Sequence, residues 1–371
     1  MKTAALKARF EASTDSDLTR LIVEGLPADA VGRTATLSLQ LHVNTKRSRG
    51  IDQTRTIQAQ EMRVTGTRLE MLLNEPLGRL YSHTGSSIDI DLRVHVEIDD
   101  GFIFDTKLHT EVERHLQRSP SPKEDAAKLI EPPDAYDFRA NLAAIPPHNR
   151  MIVMILGAVG AVLIGINSLI GVHDEFAPDS SAYFYDHVGD DGSESPAMKS
   201  LMGSGGLGLA VWLAMRRQLR RYMKFELGPR RGFPRRGERW PTRDLVRGSA
   251  RVPLEKTRLR VVAVNDEKGQ YEEGQGTRKR TVSFTTPFRG VVVYDQYLPF
   301  IPANVPVETY LEGDIDFEEM FEVLYPPLTA SSTHGIDLRW EIQLIHPQFV
   351  DQEIACSCDG LVFEDFLPRS R

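Results

Sequence analysis

Two cysteines and ten histidines are the residues whose chemistry is most easily judged from their spacing. Cys356 and Cys358 are separated by one residue, so on a strand both thiols would face the same side. Structural zinc sites usually need longer Cys spacing and a second pair of ligands, and no other cysteine is present. The histidines are scattered, without an H-E-x-x-H motif or a close cluster with acids. We predict no catalytic residue, metal or cofactor, while a site assembled from distant residues stays open.

Two glycine-containing stretches are formally similar to phosphate-binding loops. Residues 203–208 match G-x-G-x-x-G, but they lie in an apolar segment and no strand precedes them, as a dinucleotide fold would require. Residues 274–280 lack the G-K-[ST] ending of a phosphate loop, and we interpret residues 269–276 as an exposed hairpin tip. A phosphate or headgroup contact by Arg278, Lys279 and Arg280 is left open. The sequence therefore predicts no reaction.

Residues 151–172 form an uncharged apolar segment in which Asn167 and Ser168 are the only polar side chains. Twenty helical residues suffice to cross a hydrocarbon core of about 30 Å, so this segment predicts a transmembrane helix. Residues 196–215 are less apolar, and we interpret them as the return leg of a hairpin. Small residues recur every four positions in both legs and would allow the helices to approach closely. These predicted packing residues are Gly157, Ala161, Gly165, Gly206, Ala210 and Ala214.

The charges around the two legs predict their orientation. Residues 216–239 carry ten Lys and Arg against two acids, whereas the loop at 173–195 is acidic. The positive-inside rule then places both termini in the cytoplasm and the acidic loop outside. The first 17 residues lack the apolar core of a signal peptide. We predict a multi-pass protein of a bacterial inner membrane, with both cysteines as thiols in a reducing compartment.

The basic residues after the second leg are also candidate contacts for anionic lipid headgroups, since each base near such a surface contributes about 1 kcal/mol. A simple role in setting topology is the alternative. The candidates are Arg216, Arg217, Arg220, Arg221, Lys224, Arg230, Arg231, Arg235 and Arg236. The whole chain has a formal net charge of −7, so a general nucleic-acid binder is not expected.

The acidic outer loop contains three adjacent aromatic residues, Tyr183, Phe184 and Tyr185. Their rings could lie at the outer membrane interface or contact an extracytoplasmic partner. The acids at 186–194 do not have the spacing of a calcium-binding EF-hand, and a solvated loop is the preferred interpretation.

Strict alternation of apolar and polar residues dominates both ends of the chain. Residues 34–43 and 87–99 at the N-terminal end, and 335–345 at the C-terminal end, have the period of two that indicates half-buried antiparallel strands. Further strands are expected at 258–264, 280–286, 290–298 and 305–311. The predicted domains are a β-sandwich at 1–115, a Pro-rich linker at 116–150 with a short helix at 123–130, the hairpin at 151–215, a basic juxtamembrane segment at 216–250 and a β-sandwich at 251–371.

Residues 302–345 resemble the arrestin-like β-sandwich superfamily, which includes arrestins, a retromer subunit and bacterial sporulation-control proteins. The resembling features are the turn at 301–304, a strand with an acidic face, the Pro-marked loop at 324–327 and the long Gly-led strand from Gly335. Other immunoglobulin-like sandwiches fit nearly as well, and a membrane hairpin departs from this superfamily. The resemblance implies a non-enzymatic adaptor that docks other proteins.

The fold predicted from the whole sequence is mainly β, with two immunoglobulin- or arrestin-like sandwiches flanking a two-helix transmembrane hairpin. The predicted function is a membrane-anchored, non-catalytic adaptor or scaffold with protein partners, and a homo-oligomer is left open. Two alternatives are a signalling component that senses through Tyr183, Phe184 and Tyr185, and an enzyme with a dispersed site. A deep pocket with several titratable groups would favour the enzyme.

Overall fold

The computed structural model describes residues 6–12, 19–99, 101, 105–120, 126–130, 142–143, 145–176, 183, 196–220, 223–229, 231–275, 278–346 and 352–368. The chain is mainly β, with an N-terminal unit, two long helices and a C-terminal unit in that order. Two short helices, α1 (Ala126–Ile130) and α4 (Glu318–Val323), belong to the β units, and the long helices are α2 (Pro147–Phe176) and α3 (Pro196–Arg220).

The N-terminal unit is built from two sheets that enclose one core. Its strands are β1 (Lys7–Ala12), β2 (Thr19–Glu24), β3 (Thr34–Thr45), β4 (Gly50–Ile51), β5 (Gln53–Arg63), β6 (Arg68–Leu73), β7 (His83–Thr84), β8 (Ile88–Ile98) and β9 (Thr106–Glu111). The sheet β1-β2-β6 faces the sheet β5-β3-β8-β7, in which β9 also pairs with β8. Every second residue of β3 and β8 is buried, as their alternating sequence predicts.

The C-terminal unit is organised around a six-stranded sheet. Its strands are β10 (Met223–Leu227), β11 (Arg239–Pro241), β12 (Val246–Ala250), β13 (Arg258–Glu273), β14 (Arg280–Tyr297), β15 (Asp314–Asp316), β16 (Leu328–Ser331), β17 (His334–Ile345) and β18 (Gln352–Cys356). The path β14-β13-β17-β16 forms the sheet, to which β18 and β4 add at β17 and β13. The pairs β10-β12 and β11-β15, together with α4, supply the apolar side chains that cover one face.

Two predictions for the C-terminal end are wrong in detail. Residues 305–311 do not form a strand, because Pro306 cannot donate a ladder hydrogen bond and a single 3₁₀ turn, Val307–Thr309, follows it. The stretch at 269–276 is not all hairpin tip. Gly269 to Glu273 stay paired with β14, since Tyr271 and Phe284 pack against the N-terminal core.

The same long hairpin joins the two β units. β13 and β14 are 16 and 18 residues long, and the far end of β13 extends beyond β17 to pair with β4, which comes from the N-terminal part of the chain. Phe284, Leu328 and Ile336 are buried in the same cluster as the N-terminal core. The Tyr81 hydroxyl donates to the Pro326 carbonyl over 2.6 Å. The two units therefore form one continuous packed body.

The helix α1 covers part of the outer face of the six-stranded sheet. Ala126 and Leu129 pack on Val262 and Val264. A Cβ at Gly290 would lie 2.5 Å from the Leu129 Cδ1 atom, so this glycine lets the helix approach β14. The predicted short helix at 123–130 is present from Ala126 onward within the described residues.

Candidate functional site

The outward face of α2 carries a row of exposed large apolar side chains. Its exposed large apolar side chains have fractional exposures between 39% and 85%. They are Met151, Ile152, Met154, Ile155, Val159, Val162, Leu163, Ile166, Leu169, Val172 and Phe176. Soluble proteins rarely expose a contiguous apolar surface of this extent, so this face requires a cover.

Within the described part of the chain, α2 is the one helix long and apolar enough to cross a membrane. The second predicted leg, α3, does not meet that criterion, because its apolar stretch is short and contains four glycines and two serines. A two-helix transmembrane hairpin is therefore not shown. The outward side of α3 still carries exposed apolar residues, namely Leu201, Met202, Leu209, Trp212 and Leu213.

The two long helices nevertheless pack against each other in antiparallel fashion. Gly157 faces Met215, Gly160 faces Val211, and Ile164 approaches Gly208. The closest approach is at Gly160, where an added Cβ would lie 2.7 Å from both γ-carbons of Val211. The positions of α2 that contact α3 follow one another in steps of three and four, which is the spacing of a coiled-coil-like seam. They are Gly157, Gly160, Ile164 and Asn167, whereas Val153 is buried in the C-terminal core.

The seam includes only one of the six predicted small residues, Gly157. A Cβ at Gly165 or Gly206 would meet nothing within 4 Å, and Ala161, Ala210 and Ala214 are exposed. The reason is geometric, because a step of four residues drifts about 40° around the helix, whereas a contact line between two helices follows a period of 3.5.

Polar side chains are paired across the helices near one end of the seam. The Asn167 side-chain amide donates to the Ser200 carbonyl (3.0 Å) and to Ser204 Oγ (2.9 Å). Ser168 Oγ and Ser204 Oγ are 3.0 Å apart. Because every partner lies on the facing helix, these hydrogen bonds fix the register of the pair and satisfy the polar groups without water.

The loop between the helices is described only at Tyr183. Its backbone N–H donates to the buried carboxylate of Asp174 (3.0 Å), and its ring lies 4.8 Å from that of His173. Phe184, Tyr185 and the acids at 186–194 lie outside the described residues.

The first predicted headgroup contacts lie at the opposite end of α3. The Arg216 guanidinium lies over the Trp212 ring at 5.2 Å, and Arg217 is exposed. Arg221 and Arg230 are outside the described residues, as are the side chains of Arg220 and Lys224. This contact is a cation–π pair at the basic end of the helix.

The later basic residues are engaged within the C-terminal unit instead. Arg231 pairs with Glu238 at 3.1 Å, and Arg235 pairs with Asp365 at 2.8 Å. The Arg236 side chain is only 10% exposed, pairs with Glu318 at 2.8 Å and donates to the Leu367 carbonyl. Arg236 therefore stabilises the C-terminal unit. It lies between β10 and β11, in the part of the chain that folds into this unit directly after α3.

A second candidate site is a cleft of about 580 Å³ between the two β units. It is lined by residues from both units, including His83, His115, Glu267, Arg289 and Tyr325. Sequence inspection missed this cleft because its lining residues lie up to 243 positions apart in the chain. The alternation of Ile and Asp predicted a strand but gave no sign of the cleft.

Glu267 joins the two halves of this cleft. Its carboxylate is fully buried on β13 and accepts hydrogen bonds from His83 Nε2 (3.0 Å), from the Ser87 N–H (2.7 Å), and from both the N–H and the hydroxyl of Ser86 (each 3.2 Å). Burial disfavours its ionised form, but these donors outweigh burial and lower the pKa of Glu267. A Cβ at Gly85 would lie 1.7 Å from its Oε1 atom, so the loop closes on the carboxylate only with glycine there.

Two arginines flank the aromatic wall of the cleft. Arg118 and Arg289 lie 5.4 and 5.5 Å from the centre of the Tyr325 ring. Arg118 donates to the Phe321 and Phe366 carbonyls, and Arg289 donates to the Val323 carbonyl. Burial lowers the pKa of Arg118 to about 10. One wall of the cleft therefore consists of an aromatic ring flanked by two arginines. The carboxylate of Glu267 nearby already accepts hydrogen bonds from all of its donors.

The remaining candidates for chemistry are the two cysteines and the basic residues at the β13–β14 turn. Both cysteines are free, and burial raises the pKa of each thiol to about 12. No group of three or more His, Cys, Asp and Glu side chains that could hold a metal occurs among the described residues. Arg278, Lys279 and Arg280 are exposed, and the last two pair with Glu272 and Glu273.

Comparison with known proteins gives little further information. No family model matches the chain, and no curated protein matches it. A solved structure of Spo0M, a sporulation control protein from Bacillus subtilis, is similar over 31% of this chain at 17% identity, with a TM-score of 0.19. The match spans about half (51%) of that chain. At such a TM-score the similarity carries no argument, and the arrestin-like resemblance stays a prediction.

Proposed function

We propose that this protein is a membrane-anchored, non-catalytic scaffold that presents its two β units, as one body, to protein partners. The main observation behind this proposal is the exposed apolar face of α2. Exposing this face to water would be unfavourable, so it needs a lipid environment. In this proposal α3 is the return leg, and its polar atoms are tolerated because they bond to α2.

The proposed orientation is supported by the charge distribution and by the position of Trp212 and Arg216 at the basic end of α3, since Trp is enriched at membrane interfaces. The basic end of α3 faces the cytoplasm of a bacterium, and the acidic loop faces outward. Both β units then lie on the cytoplasmic side of the inner membrane. Anionic lipid contacts are proposed for Arg216 and Arg217, and not for Arg236, whose side chain is buried in ion pairs.

The adaptor role rests on the continuity of the two units and on their sandwich-like layers, which we propose to be arrestin-like. A body that shares one core across its two halves presents a fixed surface, and its outer strands β1 and β5 each pair on one side within the described sheets. Strands of this kind can accept a strand from another protein.

One observation favours a second candidate, a binding or catalytic site in the cleft between the units. The cleft contains several titratable side chains, as a dispersed site would. The main carboxylate there, Glu267, is buried and saturated by four donors, so binding is favoured over acid–base chemistry. Screening of metabolites by thermal shift, with Arg289→Gln as the control variant, tests this candidate.

The experiment for the proposed function is crosslinking in intact cells, followed by detergent extraction and mass spectrometry. The expected result is extraction only with detergent and recovery of a near-stoichiometric protein partner. Release of the chain by alkaline carbonate would contradict the anchor, and recovery of the chain alone or with a metabolite would contradict the scaffold.

A further inference from the structure

The C-terminal unit carries an exposed aromatic loop at residues 297–301. Tyr297 and Phe300 are 68% and 54% exposed, whereas the adjacent Leu298 and Ile301 are buried in the C-terminal core. The loop is therefore anchored by its apolar neighbours. The Phe300 ring is exposed, and the exposed Tyr297 ring has the Arg258 guanidinium 5.6 Å from its centre. Two neighbouring exposed rings on an anchored loop are a candidate contact surface for a partner.

Strand register places the aromatic loop at the end of the unit that adjoins α3. β10 begins at Met223, three residues after α3 ends, and Met223 pairs with Ala250, the last residue of β12. The Asn304 N–H donates to the Ala250 carbonyl over 2.7 Å. Leu254 and Ile301 exchange two backbone hydrogen bonds of 2.9 and 3.1 Å.

Chain geometry then limits the distance from the loop to the apolar stretch of α3. Arg220 is five residues beyond Met215, the last residue of the uncharged apolar stretch, which adds about 7.5 Å of helix. Three further residues reach Met223 within about 11 Å. The headgroup layer is about 5–8 Å thick on each side of the hydrocarbon core. Phe300 lies four residues from Asn304, a reach of up to about 14 Å, which suffices to return to that layer.

The side chains around the loop have the chemistry of an interfacial contact. Aromatic rings partition to the headgroup level of a bilayer. The segment hydrogen-bonded to the loop exposes Arg251 and Lys256 against one acid, Glu255. Bases next to an anionic leaflet add roughly 1 kcal/mol each.

We propose that the aromatic loop inserts Tyr297 and Phe300 into the headgroup region of an anionic leaflet and so holds the C-terminal unit on the membrane surface at a second point. This inference rests on the membrane anchorage proposed above. It explains why these two rings are exposed at the end of the unit that adjoins the helices.

The test uses the full chain in nanodiscs of phosphatidylcholine and phosphatidylglycerol with an environment-sensitive fluorophore on a single introduced cysteine. Phe300→Cys reports on the loop, Leu72→Cys reports on an exposed apolar position of the N-terminal unit, and Ile166→Cys reports on the middle of α2. Quenching by headgroup-level spin-labelled lipid at positions 300 and 72, and by acyl-chain spin-labelled lipid at position 166, is compared with quenching by aqueous iodide.

The expected result is lipid quenching at position 300 about threefold or more above that at position 72, with protection from iodide. Iodide quenching at position 300 as strong as at position 72, with lipid quenching at 166, would overturn this inference and leave the anchor intact. Absence of lipid quenching at 166 would overturn the anchor itself. Protection of position 300 from both quenchers would indicate a protein cover and overturn the lipid assignment.

Discussion

At the residue scale, we expect the buried carboxylate of Glu267 to contribute more to the folding stability than any exposed charge. It receives four hydrogen bonds from one N-terminal loop, 180 to 184 residues away in sequence. Removing one partner of such a buried set leaves the others unsatisfied, which costs far more than losing a surface pair. The surface pairs, such as Arg280 with Glu273, contribute little by comparison.

Replacing Glu267 with alanine should therefore destabilise the protein. We expect a loss of about 2–4 kcal/mol, because His83 and the two N–H groups lose their acceptor in a buried site. Thermal unfolding of the detergent-solubilised full chain measures this as a midpoint lowered by roughly 5 °C or more. Glu61→Ala, at an exposed position of β5, is the matched control and should change little.

A second variant separates the carboxylate from the loop that surrounds it. Gly85→Ala keeps the charge but places a Cβ on Glu267 Oε1, so it should produce a comparable loss, whereas Gly66→Ala meets no atom within 4 Å. Equal thermal unfolding midpoints for the Gly85 and Gly66 variants would contradict the close packing of the loop at Gly85 against the Glu267 carboxylate.

The pH dependence of stability should contain a contribution from His346. Burial lowers the pKa of His346 to about 4, below the value near 6.5 in the unfolded chain. The unfolded state therefore binds the proton first, and stability is lost as the pH falls from 6.5 toward 4. The loss at pH 5 is about 2 kcal/mol. The free energy of unfolding, measured at pH 8 and at pH 5, gives the difference between the two values. His346→Gln should remove the His346 contribution to this difference, whereas His115→Gln, at an exposed position, should retain it.

The two cysteines should be poorly reactive in the folded protein. A pKa raised to about 12 by burial leaves almost no thiolate at pH 7. We expect slow alkylation of Cys356 and Cys358 by iodoacetamide in the native state and rapid alkylation of both in denaturant, followed by mass spectrometry. Fast modification of the native chain would contradict the buried environment.

At the element scale, the strands with the clearest alternation were predictable from sequence. β3, β8 and β17 agree with their predicted bounds to within two residues, because a period of two is fixed by one buried face. The stretch at 305–311 was misjudged because its alternation is interrupted by Pro306. Only Gly157 of the small-residue stripe lies on the helix contact, since spacing alone does not specify which face of a helix its partner covers.

The helix pair should respond differently to two similar glycine substitutions in α2. Gly160→Ala should loosen the pair, since its Cβ would lie 2.7 Å from Val211, whereas Gly165→Ala adds a methyl group to open space. Ile164 and Gly208 approach each other across the helix pair. The rate of disulfide formation between cysteines introduced at these two positions, measured in membranes, reports how closely the helices pack in each variant. A slower reaction with Gly165→Ala than with Gly160→Ala would contradict the observed seam.

At the scale of the whole molecule, the sequence predicted the order of β unit, helices and β unit, but not the junction between the units. The junction depends on contacts such as that of His334 Nε2 with the Ile51 carbonyl, 283 residues apart in the chain. Such contacts leave no local period in a sequence. The basic segment was likewise predicted as a juxtamembrane stretch, although Trp240, Leu245 and Val246 are buried in the C-terminal core.

The central claim is that α2 crosses the membrane and α3 returns, so that both β units lie on one side. The most direct measurement is labelling of single introduced cysteines in intact cells with a membrane-impermeant maleimide. Glu312→Cys and Gly66→Cys should react only after permeabilisation, and Asp190→Cys, in the loop between the helices, should react in intact cells. Labelling of position 66 or 312 in intact cells, or equal protection of position 190, would contradict the account.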